Sequence, residues 1–299
     1  MENKSIKNVM IIKSNKDLFF RQYNNVYPFF NNKQNFLFKL FNKMNSSFVK
    51  FFFGDWKKEI RLNDTVILFD NGYSNIIPKY IKGKNKNIKV VFWFWNSIKE
   101  YKDNNQNKII DDILNNKYID EIWTYNRFEA KEYNLKYNPQ FYQKCFELEN
   151  EPVDDVLFLG REKGRNDNLM NLNNIFNENK IKSNIIIVKN EKDKISYDDY
   201  LRLLSKSKCV LDYSFTIPCG LSLRPLEALF YEKKLITNNP DIKNYDFYNP
   251  NNIFILGEDK IENLKSFLDK PYEKVNQDII DYYSFESWLD RIANMKGKG

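Results

Sequence analysis

Histidine is absent from all 299 residues of this chain. That absence removes the Ser-His-Asp triad, the Cys-His pair and the histidine general base, so proton transfer falls to Asp, Glu, Lys, Tyr or Cys. Cysteine is scarce as well. Cys145, Cys209 and Cys219 lie far apart in sequence and have no histidine to join them in a zinc site of closely spaced ligands. No apolar run approaches the roughly 20 residues that span a bilayer, and the start Met1–Lys7 is too polar for a signal peptide. These absences predict a cytoplasmic protein.

What is present argues for a folded chain of two cores. Hydrophobic residues make up 42%, aromatics 16% and charged residues 29%, enough apolar material to offset the conformational entropy of ordinary domains. The formal net charge of +7 favours acidic partners such as phosphates or anionic lipid surfaces. The lysines are scattered, and neither an RNA-recognition nor a helix-turn-helix signature stands out, so no nucleic-acid partner is expected.

Short β-rich apolar runs alternate with helical patterns, the signature of parallel sheets covered by helices. Strands are predicted at Val9–Ile12, Val66–Phe69, Lys89–Trp95 and Glu121–Thr124, then at Val156–Leu159, Asn184–Val188, Cys209–Tyr213, Lys234–Thr237 and Ile253–Ile255. Helices are predicted at Ser74–Ile81, Lys108–Leu114, Arg127–Glu132, Leu169–Asn177, Tyr197–Lys206, Ser222–Tyr231 and Ile261–Leu268. The acidic stretch Glu147–Asp155, with Pro152, reads as an inter-domain linker. A last helix, Ser284–Asn294, has Ser284 as its candidate N-cap and Phe285, Trp288 and Leu289 on one face.

Ligands of open α/β sheets bind at the carboxyl ends of strands, and two loops there stand out. After the strand ending at Leu159 come Gly160, Arg161, Glu162, Lys163, Gly164 and Arg165. The glycines permit a tight backbone path, and the three cations suit a diphosphate. The same residues also fit an ordinary exposed basic turn. The second loop runs from Ile217 through Cys219, Gly220, Leu221 and Ser222 into a helix carrying Arg224 and Glu227. A glycine loop opening a helix aims N–H groups and the positive dipole end at one point, as pyrophosphate binding requires. Ser222 is a candidate cap, Arg224 a charged contact and Glu227 a carboxylate for the two hydroxyls of a ribose.

The run GLSLRPLEALFYEKKLITNN, residues 220–239, resembles the donor-binding segment of GT-B glycosyltransferases. More narrowly, it is similar to capsular and lipopolysaccharide biosynthesis transferases, in which Gly-Leu-(Ser/Thr)-x-Arg-x-x-Glu-Ala-Leu precedes a Lys-Lys-Leu-Ile-Thr strand. The similarity extends back through Ser196–Tyr200 and Cys209–Asp212 to the Phe158–Arg165 loop, and touches Trp123–Tyr142. It implies two Rossmann-like domains facing across a cleft, and a sugar moved from a nucleotide-sugar to a glycan or lipid-linked acceptor. On that reading residues 1–148 bind the acceptor, 149–282 bind the donor, and 283–299 form a helix packing on the first domain. Glu227 would hold the ribose; Gly220, Leu221 and Ser222 the diphosphate, with Arg161, Lys163 or Arg165 facing the same phosphates. Many retaining members carry a further glutamate eight positions before the ribose glutamate. Here that position is Cys219, which leaves the stereochemical outcome open.

The acceptor half must supply any base. Asp70, after the strand Val66–Phe69 and before Asn71-Gly72, is the first candidate, and Asp55 the other. An Asx-type turn or helix cap is the commoner use of Asp before Gly, and both readings stand at this stage. Trp95 and Asn96, at a strand end, are candidate acceptor contacts. The pairs Asp111-Asp112, Asp154-Asp155 and Asp198-Asp199 fall on helical or linker segments, so neither a metal nor another cofactor is expected. The Phe- and Lys-rich segment Phe29–Trp56 reads as a core helix and strand, or as a patch against an anionic inner leaflet. Two other functions remain open: a non-catalytic nucleotide- or carbohydrate-binding subunit, and a CDP-alcohol-dependent phosphotransferase.

Overall fold

A computed structural model describes residues 8–14, 20, 23–31, 47–69, 76–149, 151–215, 217 and 219–294. It contains two parallel β-sheets, each flanked by helices, which form the two Rossmann-like domains that the GT-B resemblance implies. Contacts divide the chain into one unit of Met1–Pro139 with Trp288–Gly299, and a second of Gln140–Ser287. The acidic stretch around Pro152 therefore lies inside the second unit. The reason is local: Tyr142 N–H donates to the Tyr283 carbonyl at 2.9 Å, which ties the segment after Pro139 to that unit.

In the first unit the strands are β1 (Val9–Lys13), β2 (Val26–Pro28), β3 (Thr65–Phe69), β4 (Lys89–Phe94), β5 (Glu121–Thr124) and β6 (Lys136–Tyr137). Their order is β2-β1-β3-β4-β5-β6, every pairing parallel. All five residues of β1 and of β3 are buried, which is why these strands read as continuous apolar runs rather than alternating ones. Helices α1 (Trp56–Glu59), α2 (Ile77–Lys84), α3 (Ile98–Asp103), α4 (Asn107–Leu114) and α5 (Arg127–Glu132) accompany them. Met10, Ile12, Val66, Leu68, Val90 and Phe92 alternate onto one sheet face, where Trp56, Ile77, Ile81 and Ile110 pack. Ser97 and Asn126 cap α3 and α5 by accepting from the N–H groups of Lys99 and Phe128.

The second unit contains β7 (Asp154–Arg161), β8 (Ser183–Val188), β9 (Ser207–Asp212), β10 (Lys234–Thr237) and β11 (Ile253–Ile255). Its order is β11-β10-β9-β7-β8, again all parallel. Helices α6 (Asn166–Glu178), α7 (Tyr197–Ser205), α8 (Leu223–Phe230), α9 (Leu264–Asp269) and α10 (Gln277–Tyr282) follow in turn, and α11 (Phe285–Asn294) ends the description. Ser284 accepts from the Ser287 N–H at 3.2 Å, the cap expected of it.

One buried charge in this unit has a readable pH signature. Lys233, 3% exposed, donates to the carbonyls of Ser205 (3.2 Å) and Ser207 (2.7 Å), and burial holds its pKa down to about 8. In the unfolded chain it titrates near 10.5. The unfolded state therefore binds more protons between these values, and the cost of burying the ammonium, present below pH 8, is relieved as pH rises. Wild-type stability is expected to rise against Lys233→Met across that window by up to about 3 kcal/mol. Urea melts at pH 7.5 and pH 10 check it; an unchanged difference between the two proteins sinks the assignment.

Candidate functional site

Both loops singled out in the sequence meet at the carboxyl ends of β7 and β9. Gly160 and Arg161 are the last residues of β7, and the chain then turns through Lys163 and Gly164 at φ of 44° and 72°. That left-handed step returns the backbone so that Arg165, 7% exposed, points inward across the strand ends. Its Nε and Nη2 donate to the Arg161 carbonyl at 3.1 and 2.9 Å, and its Nη1 donates to the carbonyl of Tyr213, just past β9. From the other side Arg224, in the first turn of α8, donates through Nη2 to the Leu159 carbonyl at 2.6 Å. Its Nη1 lies 3.5 Å from Asp212 Oδ1.

The two guanidinium groups share a floor. They lie 4.9 Å (Arg165) and 5.2 Å (Arg224) from the centroid of the buried Phe158 ring. A Cβ on Gly160 would sit 2.7 Å from the Nη2 of each, so a larger residue here would displace the two guanidinium ends. Burial first, and Arg224 second, push the Arg165 pKa down to about 10, while Asp212 opposes them. Two cations with one carboxylate leave a positive balance at a strand-end crevice. Such a site favours a polyanion.

The remaining predicted residues take more varied places. Arg161 and Lys163 are exposed on the turn, and Gly220 and Leu221 are buried ahead of α8. Ser222 occupies the N-cap position of α8 without a side-chain cap bond. Its hydroxyl donates instead to Asp212 Oδ1 at 2.9 Å, because that carboxylate lies closer to hand at the end of β9. Asn238 clamps the loop by accepting from Ser214 N–H and donating to Ser214 O, at 2.8 and 2.7 Å. Burial raises the Cys219 thiol to about 11, so it is no thiolate at neutral pH.

Glu227 is 3% exposed, with both oxygens engaged: Oε1 accepts from Tyr197 (2.9 Å) and Oε2 from Tyr200 (2.5 Å). Tyr142 and Tyr197 share a further hydroxyl contact at 2.6 Å. Burial raises the Glu227 pKa, with the Tyr200 hydrogen bond, Arg224 and Tyr197 pulling the other way. A vicinal diol reaches this carboxylate only through lone pairs the phenols leave. The sequence shows that Tyr197 and Tyr200 stand three apart on one helix, hence on one face, but carries no signal that joins that face to Glu227.

In the first unit Asp70 lies outside the described residues, as do residues 32–46 of the Phe- and Lys-rich segment. Asp55 is exposed and paired with Lys58 at 2.8 Å. Hydrogen bonds from Lys58 and Asn31 hold its carboxyl below the usual range, which suits a salt bridge better than a base. Trp95 and Asn96 are half-buried at the end of β4. Among the described residues, no group of three or more Cys, Asp or Glu side chains gathers to hold a metal ion. None of the described helices is long and apolar enough to cross a membrane.

No protein-family model matches the chain, and no curated protein matches it. Among solved structures it is similar to the crystal structure of TarM, at 15% identity over 77% of this chain with a TM-score of 0.49. The match takes in 54% of TarM, so this chain spans about half the length of that protein.

Proposed function

We propose that this chain is a glycosyltransferase that takes a sugar from a nucleotide-sugar and passes it to a glycan or lipid-linked acceptor in surface-polysaccharide or lipo-oligosaccharide synthesis. The observation that carries the reading is the convergence of Arg165 and Arg224 over Gly160 at the ends of β7 and β9. Two fixed guanidinium groups beside the N-terminus of α8 are suited to the charge that grows on a departing nucleoside diphosphate, with no proton transfer needed there. The motif resemblance of residues 220–239 points to the same donor class. Gly220, Leu221 and Ser222 are assigned to the phosphates, Arg161 and Lys163 to their outer edge, and Glu227 to the ribose through the lone pairs beyond its two tyrosines. The acceptor and its base, with Asp70 as candidate, are assigned to the first unit.

Thermal denaturation in the presence of UDP, GDP, CDP, CMP and their sugars tests this, since a ligand that binds only the folded chain raises Tm by mass action. One nucleoside diphosphate and its sugars are expected to raise Tm, and the nucleotide-sugar to be consumed with an acceptor, releasing the nucleoside diphosphate. No shift with any member removes the reading; a shift without turnover leaves a binding subunit, and preference for a CDP-alcohol indicates phosphotransfer.

Contact with an anionic inner leaflet belongs to the same proposal. Phe51 and Leu62 are 65% and 68% exposed, and Lys50, Lys58 and Arg61 stand exposed beside them in sequence. Co-sedimentation with phosphatidylglycerol vesicles, but not with phosphatidylcholine ones, is expected, and Phe51→Ser is expected to weaken it. Equal sedimentation with both lipids removes the electrostatic part of the idea.

A further inference from the structure

Glu227 lies one turn inside α8, beyond the helix start assigned to the phosphates, and is 3% exposed. A carboxylate at that depth needs donors, and its donors are two phenols from a neighbouring helix rather than a cation. Tyr197 and Tyr200 stand in the first turn of α7 with ring centroids 5.6 Å apart, so both hydroxyls reach the same side chain. Tyr200, 5% exposed, donates to Oε2; Tyr197, half-buried, donates to Oε1. Each oxygen therefore takes a single phenol, and among the described residues no other side chain donates to either. A carboxylate oxygen has about two acceptor positions. One position on each oxygen is left, side by side, as two neighbouring hydroxyls of one ring require.

The same hydrogen bonds act on charge. Burial favours the protonated acid and Asp212, at the end of β9, adds to that. The Tyr200 bond does most to favour the carboxylate, followed by Arg224 on α8 and the Tyr197 bond. Tyr142, from the segment after Pro139, stands behind Tyr197 with the two hydroxyls 2.6 Å apart. An ionised Glu227 accepts from both hydroxyls of a diol. A protonated one gives up an acceptor position to its own hydrogen.

We propose that Tyr197 and Tyr200 are positioning residues for ribose recognition: they hold Glu227 as the anion, with one lone pair of each oxygen open to the 2′- and 3′-hydroxyls of the nucleotide. This rests on the nucleotide-sugar reading and adds to it the two phenols that make Glu227 a diol acceptor.

The test is isothermal titration of the full chain with UDP, GDP and CDP, each beside its 2′-deoxy counterpart, from pH 6 to pH 9. The ratio of ribo to deoxyribo affinity cancels the titration of the phosphates, which both forms share. In the wild type the nucleotide that binds is expected to be preferred over its deoxy form by about tenfold or more, the size of a hydrogen bond to a charged group. Tyr200→Phe removes only the hydroxyl. Without that bond the Glu227 carboxyl protonates at higher pH, so the ratio is expected to fall about tenfold at pH 6 and to recover as pH rises. Tyr197→Phe is expected to give the same displacement to a smaller degree, and it decides should Tyr200→Phe not fold. Glu227→Gln is expected to give a low ratio at every pH.

The two readings fail separately. If the wild type binds none of the nucleotides, the donor reading falls and the positioning role with it. Where a nucleotide binds, a wild-type ratio near one overturns the positioning role alone. So does a ratio that keeps its size and pH dependence in both phenylalanine variants, or one lowered equally at every pH, which marks looser packing without a change of charge.

Discussion

Arg224→Gln is expected to remove most of the Tm rise that a nucleoside diphosphate gives the wild type. A charge-assisted hydrogen bond to phosphate contributes about 1.5–3 kcal/mol, which corresponds to roughly a 10- to 100-fold loss of affinity. Arg224 is the better target of the pair because its side chain is still 20% exposed, whereas Arg165 is committed to the carbonyls of Arg161 and Tyr213 and braces the turn. The substitution also frees Asp212, 4% exposed, whose other neighbour is the Ser222 hydroxyl. An unligated melt must therefore accompany the titration. Arg161→Gln, on the exposed side of the same turn, is the control, where a change of up to about 1 kcal/mol is expected. Equal affinity in Arg224→Gln and wild type would sink the phosphate assignment, and an equal loss in the control would mean a diffuse basic surface instead.

How far the sequence carries depends on the kind of signal each element gives. The central strands were legible because burial on both faces forces an unbroken apolar run, as in Val66–Phe69 and Cys209–Asp212. The two edge strands of the first sheet carry no such run. Val26–Pro28 includes a proline, tolerable because it ends an edge strand, and Lys136–Tyr137 is only two residues long, so neither was expected. The helices Ile98–Asp103 and Gln277–Tyr282, each under two turns, were not among the expected ones. At the site, composition and spacing placed Gly160, Arg165 and Arg224 at strand ends, where the structure also has them. They could not show that Phe158 would lie beneath both cations, or that Glu227 would be held by Tyr197 and Tyr200, because those are contacts across tens of residues.

Trp288→Ala is expected to cost the first unit about 3–5 kcal/mol, a large part of the 5–15 kcal/mol that holds a typical domain folded. Trp288 is fully buried, although it lies some 150 residues beyond the rest of that unit's chain. Its ring meets Trp93 edge-on with centroids 4.9 Å apart, and Phe69 at 5.7 Å, on the sheet face opposite the Met10–Phe92 cluster. The backbone is anchored too: Asn138 donates to the Trp288 carbonyl at 3.1 Å, and Lys89 donates to the Ile292 carbonyl at 3.1 Å, closing the end of α11. Truncation leaves a cavity that rigid β3 and β4 cannot collapse to fill, so the loss sits at the upper end of the range for a large aromatic. Trp288→Phe keeps an aromatic edge against Trp93 and is expected to lose less than half as much. Urea denaturation followed by far-UV circular dichroism separates the cases. Equal midpoints for Trp288→Ala and wild type would show that the last helix is peripheral to the first core; a graded loss through Phe to Ala would show that this core is completed only when the chain returns to it at its end.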